Sequence, residues 1–280
     1  MKGILQLGKL LGLFMAMMLV TSVPALAAEL GVDWDSRVIT VTGMGAAPPN
    51  AMNPAQANML ARRAAVVDGY RQLAESVKGV NVDAETTVEN MMVTSDVIHT
   101  KISALIQGAR IVAERAVPGG YEVTMQMNMF GGSESLASAV MPPTGQAPEA
   151  FPSPAAPVTG SSAAAAPAGK AEGIYTGLVV DCRGLGLKPV MSPVIKNDQG
   201  QPIYGFKNLD YDKVITYGMA GYTKDPNNVA RAGAHPLVVK AVSLENHNGY
   251  PVISTADANK ALIENGATHF LDATCVVFIR

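Results

Sequence analysis

From Met141 to Ala171, the prolines Pro142, Pro143, Pro148, Pro152, Pro154, Pro157 and Pro167 sit among Ala, Ser, Thr and Gly, with almost no large apolar side chain. A stretch like that cannot bury enough surface to offset the entropy of ordering it, and its prolines favour extended backbone. It predicts a disordered linker over 132–172. The chain is thereby divided into two folded units, 34–131 and 173–280, each of ordinary domain size.

The first residues read as a leader rather than as fold. Lys2 and Lys9 flank a start that runs into the apolar stretch Leu10 to Val20, followed by Pro24, Ala25, Leu26 and Ala27. A basic start, an apolar middle and a small-residue end predict a secretory signal over 1–27. The apolar stretch is too short to cross a membrane comfortably, and no later one is longer, so the mature chain is expected to have no transmembrane span. No cysteine follows the expected cleavage point to carry acyl chains. The expectation is an exported protein, periplasmic or associated with the outer membrane. A formal net charge of -2 with 16% charged residues gives no basic stripe to neutralise phosphates, so nucleic acid is not an expected partner. Cys182 and Cys275 lie far apart in sequence. In an oxidising compartment they form either one long-loop disulfide or two free thiols acting as small hydrophobes.

In the first unit, "RVITVT" (37–42) alternates and is rich in β-branched residues, predicting a strand that ends at Gly43. A long helix follows, with Asn53 as N-cap, Pro54 at its first position and Gly79 placed to close it in a left-handed cap. Leu60, Ala64, Val67, Tyr70, Ala74 and Val77 recur at spacings of three and four, which predicts the buried face. A shorter helix is expected over Asp96 to Gln107, with Ser95 before it, Gly108 after it, and Ile98, Ile102 and Leu105 inward. A hairpin closes the unit: Ala109 to Val117, a turn at Pro118 to Gly120, then Tyr121 to Phe130. In its second strand Tyr121, Val123, Met125, Met127 and Met129 alternate with polar residues, so one face is buried. The fold class is α+β, with a long and a short helix on a mostly antiparallel sheet.

The segments "NMLARRAAVVDGYRQLAESVKGV", "VIHTKISALIQGARIV" and "GGYEVTMQMNMF" resemble the domain shared by the Lpp-twenty surface lipoproteins and the amino-terminal part of the bacterial flagellar assembly protein T. Asp96, Ile98, Lys101, Ile102 and Gly108 match that group's D-x-I-x-x-K-I-x-x-x-x-x-G segment, and Tyr121 and Val123 match its Y-x-V strand. The resemblance covers about 38–130, and its motifs are structural rather than catalytic. It implies a non-enzymatic envelope or surface protein, in some members tied to the flagellum. The lipidated cysteine of the lipoprotein members has no counterpart here.

The second unit reads as a mixed α/β domain. Strands are expected over Ile174 to Asp181, Leu237 to Ser243 and Phe270 to Ile279. A helix over Ala256 to Glu264 is started by Ser254 or Thr255, has Asp257 in its first turn, and is stopped by Gly266. "KNDQGQPIYG" predicts a turn between two extended pieces. "LVVDCRGLGLKP" runs a strand into a Gly-x-Gly turn, but Gly184 and Gly186 lack the third glycine of a dinucleotide loop, and Lys188 is followed by Pro189. The reading is a strand leaving its sheet through a bend.

Catalytic signals are sparse. His99, His235, His247 and His269 are scattered, and no nucleophile elbow appears. The sharpest metal idea is Cu(I) held by Met125, Met127 and Met129, whose thioethers share one strand face; the same alternation suits a core-facing strand. Arg62 and Arg63 read as an anion or partner contact or a solvated helix face. No cofactor is expected. The favoured function is a non-catalytic exported envelope protein acting by protein contact with envelope or flagellar proteins. The alternatives are a periplasmic receptor for a small ligand or metal, and an enzyme built on the second unit.

Overall fold

In the computed structural model, residues 31–143, 145–155 and 170–280 are described. The expected leader over 1–27, and the part of the expected linker at 156–169, lie outside them.

The first lobe follows its predicted order. β1 (Gly31–Asp33) and β2 (Val38–Ala46) lead into α1 (Pro54–Lys78), then α2 (Val88–Thr94), α3 (Asp96–Gln107), β3 (Arg110–Val117), β4 (Gly120–Asn128) and α4 (Leu136–Val140). The sheet is antiparallel in the order β1-β2-β4-β3. Its N-caps are those the sequence announced, but Gly79 closes α1 in the right-handed region at φ -75° rather than in the expected left-handed cap. Asn53 Oδ1 accepts from the Gln56 N–H at 2.8 Å, and Ser95 Oγ accepts from the Ile98 N–H at 3.4 Å. Each bond satisfies an amide that its helix cannot satisfy internally. The short α2 had no sequence signal strong enough to predict it.

The buried face of α1 differs from the expected one. Ala61, Ala65, Gly69, Leu73 and Val77 face the sheet, whereas Leu60 and Val67 are 41% and 69% exposed. The reason is close approach. A Cβ added to Gly43 would lie 2.2 Å from the Ala65 carbonyl oxygen, and one added to Gly45 would lie 2.0 Å from that of Ala61. Backbone meets backbone, so the seam admits only the smallest side chains, and the larger apolar residues are turned outward.

Where β1 ends, side chains of α1 finish the edge of β2. Asp68 Oδ2 accepts from the Met44 N–H at 3.0 Å, and Gln72 Nε2 donates to the Thr42 carbonyl at 3.0 Å. At the opposite edge, β3 shifts register between Ile111 and Ala113, and nearly all of it is exposed.

The second lobe holds β5 (Gly177–Asp181), β6 (Ile195–Asn197), β7 (Pro202–Tyr204), α5 (Tyr211–Tyr217), β8 (Gly221–Thr223), β9 (Pro236–Glu245), β10 (Tyr250–Ile253), α6 (Thr255–Thr268) and β11 (Val276–Ile279). Its sheet runs β7-β6-β10-β9-β5-β11-β8. β5 pairs in parallel with both β9 and β11, and its "GLVV" is wholly buried, as a parallel strand covered on both sides requires. The turn at Asp198–Gly200 joins β6 to β7 as predicted. β5 begins three residues later than expected, at Gly177, and two further elements shift. α6 passes through Gly266 and ends at His269, which takes the left-handed cap conformation at φ 54°. The last strand begins only at Val276, because Phe270 to Thr274 are spent on turns, with Thr274 at φ 57°.

The stretch expected to be plain linker carries structure at both ends. α4 is buried within it, Phe151 stacks on Tyr204, and Ala155 exchanges hydrogen bonds with the Asn259 side chain of α6. Glu172 and Gly173 donate their N–H groups to Glu264, also on α6. The lobes themselves are docked rather than merely tethered. Met191 and Ser192 donate to the Asn81 and Val82 carbonyls at 3.0 and 2.7 Å, and Gly131 and Gly132 both donate to the Ile215 carbonyl. Trp34 meets Tyr222 edge-on at 5.5 Å between ring centroids, and one apolar core runs through both lobes.

Two outcomes follow from the α1 contacts. Gly43→Ala should cost about 3 kcal/mol or more in urea unfolding, since the overlapped atom is backbone, while Gly79→Ala, where the nearest atom is 3.6 Å away, should be close to neutral. The Met44 N–H, then Arg71, hold the Asp68 carboxyl below the usual carboxylate range despite the opposing effect of burial. A carboxyl with a lowered folded value stabilises above its unfolded value, about 3.9, and loses that contribution as pH falls through the folded value. Asp68→Ala should therefore cost about 1 kcal/mol at neutral pH, with the gap from wild type closing in acid below about pH 3.9.

Candidate functional site

The residues singled out by chemistry in the sequence do not converge. Met125, Met127 and Met129 are all buried in the first-lobe core. The sulfur of Met125 lies where a Cβ on Gly69 would come within 2.7 Å, so that thioether is packed against α1. His99, His235, His247 and His269 are exposed and dispersed, His269 Nδ1 lying 3.6 Å from Asp272. Among the described residues no three His, Cys, Asp or Glu side chains gather as metal ligands would. Arg62 is used in an ion pair with Glu114 at 2.8 Å, from α1 across to β3.

The disulfide considered between Cys182 and Cys275 is not formed; both are free thiols. In the parallel register Val276 stands beside Leu178 and Ile279 beside Asp181, so the two cysteines sit at opposite ends of the paired strands. At about 3.3 Å per residue that is far beyond the ~7 Å a disulfide can span between Cα atoms. Burial, reinforced by nearby Asp181, pushes the Cys182 thiol up to about 12. After Cys182 the chain bends as expected, with Gly184 and Gly186 at φ 80° and 78°, Arg183 folded back onto Asp181, and no helix following the glycines.

What the fold does assemble is a groove of about 870 Å³ where the lobes meet. One wall is the C-terminal half of α3 with Lys101, Leu105 and Gly108. The floor is the start of β3 and the end of β4, with Arg110 and Gln126, and the far wall is α4 and α5. Lys101, Arg110, Glu134 and Asp212 bring two charges of each sign to it. None of the four has an ion-pair or hydrogen-bond partner through its side chain among the described residues. Lys101 and Gly108 belong to the segment that carried the sequence resemblance. Tyr211 and Asp212 come from the other lobe, over 100 residues away, and no local signal marked them. Chemically the groove offers hydrogen bonds and charge pairing but no nucleophile beside a base.

Comparison with protein families now bears on this arrangement. Residues 39–127 match the LPP20 lipoprotein family. The LPP20 match covers β2 through β4, the helix-on-sheet layer that supplies one wall and the floor of the groove. Residues 177–280 match a second family, described as Treponema pallidum Tp0624, second domain, which spans β5 to the last residue. No curated protein matches the chain. The two matches fall on different lobes, and those lobes share a junction. Among the described residues no helix is long and apolar enough to cross a membrane.

Thiol chemistry checks the cysteine geometry. In the native protein a small alkylating reagent should label Cys275 and spare Cys182, denaturant should expose both, and prior reductant should leave the labelling unchanged.

Proposed function

We propose that this is an exported envelope protein, without catalytic activity of its own, that works by holding a partner polypeptide in the groove between its LPP20 and Tp0624-like lobes. The observation that carries the reading is the groove itself. It draws its walls from both lobes and presents charges of both signs that have no side-chain partner among the described residues. Groups of that kind steer and orient a protein partner while leaving its binding reversible. The LPP20 match supports the envelope setting. The narrower version, in which the partner belongs to the flagellum, has the resemblance of 38–130 to flagellar assembly protein T as its support.

Two arms test the proposal in cells. A photo-crosslinking amino acid at Ser138, in the groove wall, should capture a discrete partner from the envelope fraction, while the same probe at the exposed Val238 should not. Combining the probe with Lys101→Glu and Arg110→Glu should lower the yield about fivefold or more, since reversed charges repel the sequence that the native ones attract. Equal capture at Ser138 and Val238, or indifference to the charge reversals, would sink the groove as the contact site.

A further inference from the structure

A second, smaller cavity of about 190 Å³ lies at another part of the lobe junction. Arg37, from the turn before β2, and Arg231, from the short turn before β9, both line it. Each donates through Nη1 to the same carbonyl, that of Tyr217, at 2.9 and 2.5 Å. The other bonds of Arg231 go to the Gly218 and Thr274 carbonyls and the Thr274 hydroxyl, all neutral acceptors. Neither guanidinium forms an ion pair among the described residues. A third, that of Arg280, has its Nε buried with no partner, and its backbone N–H bonds to the Thr223 carbonyl in the cavity wall. Asp35 is the acidic side chain of the lining, and its oxygens are already engaged by the Thr223 hydroxyl and the Asn228 amide at 3.2 and 2.8 Å.

The acidic groups nearby are committed elsewhere, Asp35 to Thr223 and Asn228 and Asp33 to Arg280, so placing the Arg37 and Arg231 guanidinium groups this close is costly, and more so where water is excluded. Burial holds the Arg231 guanidinium down to about 10, and the neighbouring Arg37 pushes in the same direction. Arg37 is itself held at φ 62°, a left-handed backbone that a long side chain adopts at an energetic cost. Guanidinium groups favour oxyanions as hydrogen-bond partners; Arg231 keeps one N–H beyond its bonds to Tyr217, Gly218 and Thr274, and Arg37 keeps all but the one given to Tyr217.

We infer that this junction cavity is a binding site for a small oxyanion, a phosphate or the carboxylate of a small molecule, held by Arg37 from one lobe and Arg231 from the other. Its volume suits a single oxyanion and falls below the roughly 300 Å³ at which drug-sized ligand pockets begin. Because the two arginines belong to different lobes, the bound anion ties the lobes together and raises the stability of the docked form.

The test uses the purified full chain, with sodium phosphate and sodium succinate titrated separately by calorimetry and thermal unfolding, against sodium chloride at matched ionic strength. Saturable binding and a rising midpoint with at least one of the two are expected; phosphate alone assigns a phosphoryl ligand, succinate alone a carboxylate. Arg37→Gly, which the left-handed backbone favours, should keep its fold and lose about tenfold or more in affinity, the worth of a charge-assisted hydrogen bond. Arg37→Asn, which also accepts that backbone, gives the same reading independently. Asp35→Asn removes the negative charge from the wall and should tighten binding by about threefold. The inference is overturned if neither anion acts beyond matched chloride, or if both Arg37 variants bind as the native protein does.

Discussion

The contact on which the rest of this structure depends is the one between α1 and β2, where Gly43 and Gly45 meet Ala61, Ala65 and Gly69 with no side chain between them. Close approach of two backbones brings the whole helix within reach of the sheet. Asp68 and Gln72 can then take the place of a missing neighbouring strand at the edge of β2. The same approach seats Leu73 and Val77 in the core with the methionines of β4. A wider seam filled by larger residues would bury more apolar area per helix turn, but the strand-edge bonds would be out of range.

The second determining feature is the way the lobes are joined. Hydrogen bonds from backbone to backbone at Asn81, Val82 and Ile215 fix geometry without depending on side-chain identity. They leave two recesses, one with charges of both signs and one dominated by arginine. Both recesses exist only in the docked pair, since each draws its lining from either side of the junction. A chain in which the lobes moved freely would present neither.

Much of the first lobe was legible in the sequence because its signals are local. Asn53 with Pro54, Ser95 with Gly108, and the alternation through Met125, Met127 and Met129 each specify their element within a few residues. The face of α1 was misread because periodicity weighs apolar size, and this seam selects for smallness; Leu60 and Val67 outweighed Ala61 and Gly69 for that reason. In the second lobe, a three-residue strand such as β8 is shorter than any pattern can reveal, and its pairing is settled by β11, far along the chain. The sites fared worst. Arg37 and Arg231 are ordinary arginines in sequence, and what sets them apart is a carbonyl they share across the fold.

The shift of register in β3 has a consequence for how copies of this protein behave in a crowded compartment. A sheet that ends in an exposed strand invites a second extended chain to add itself, and repeated addition leads to filaments. Here the pairing pattern of that strand breaks between Ile111 and Ala113, and Arg110, Glu114 and Arg115 set charges along it. An incoming strand could follow the ladder for only part of its length before losing step. The edge is thereby a poor template for self-assembly.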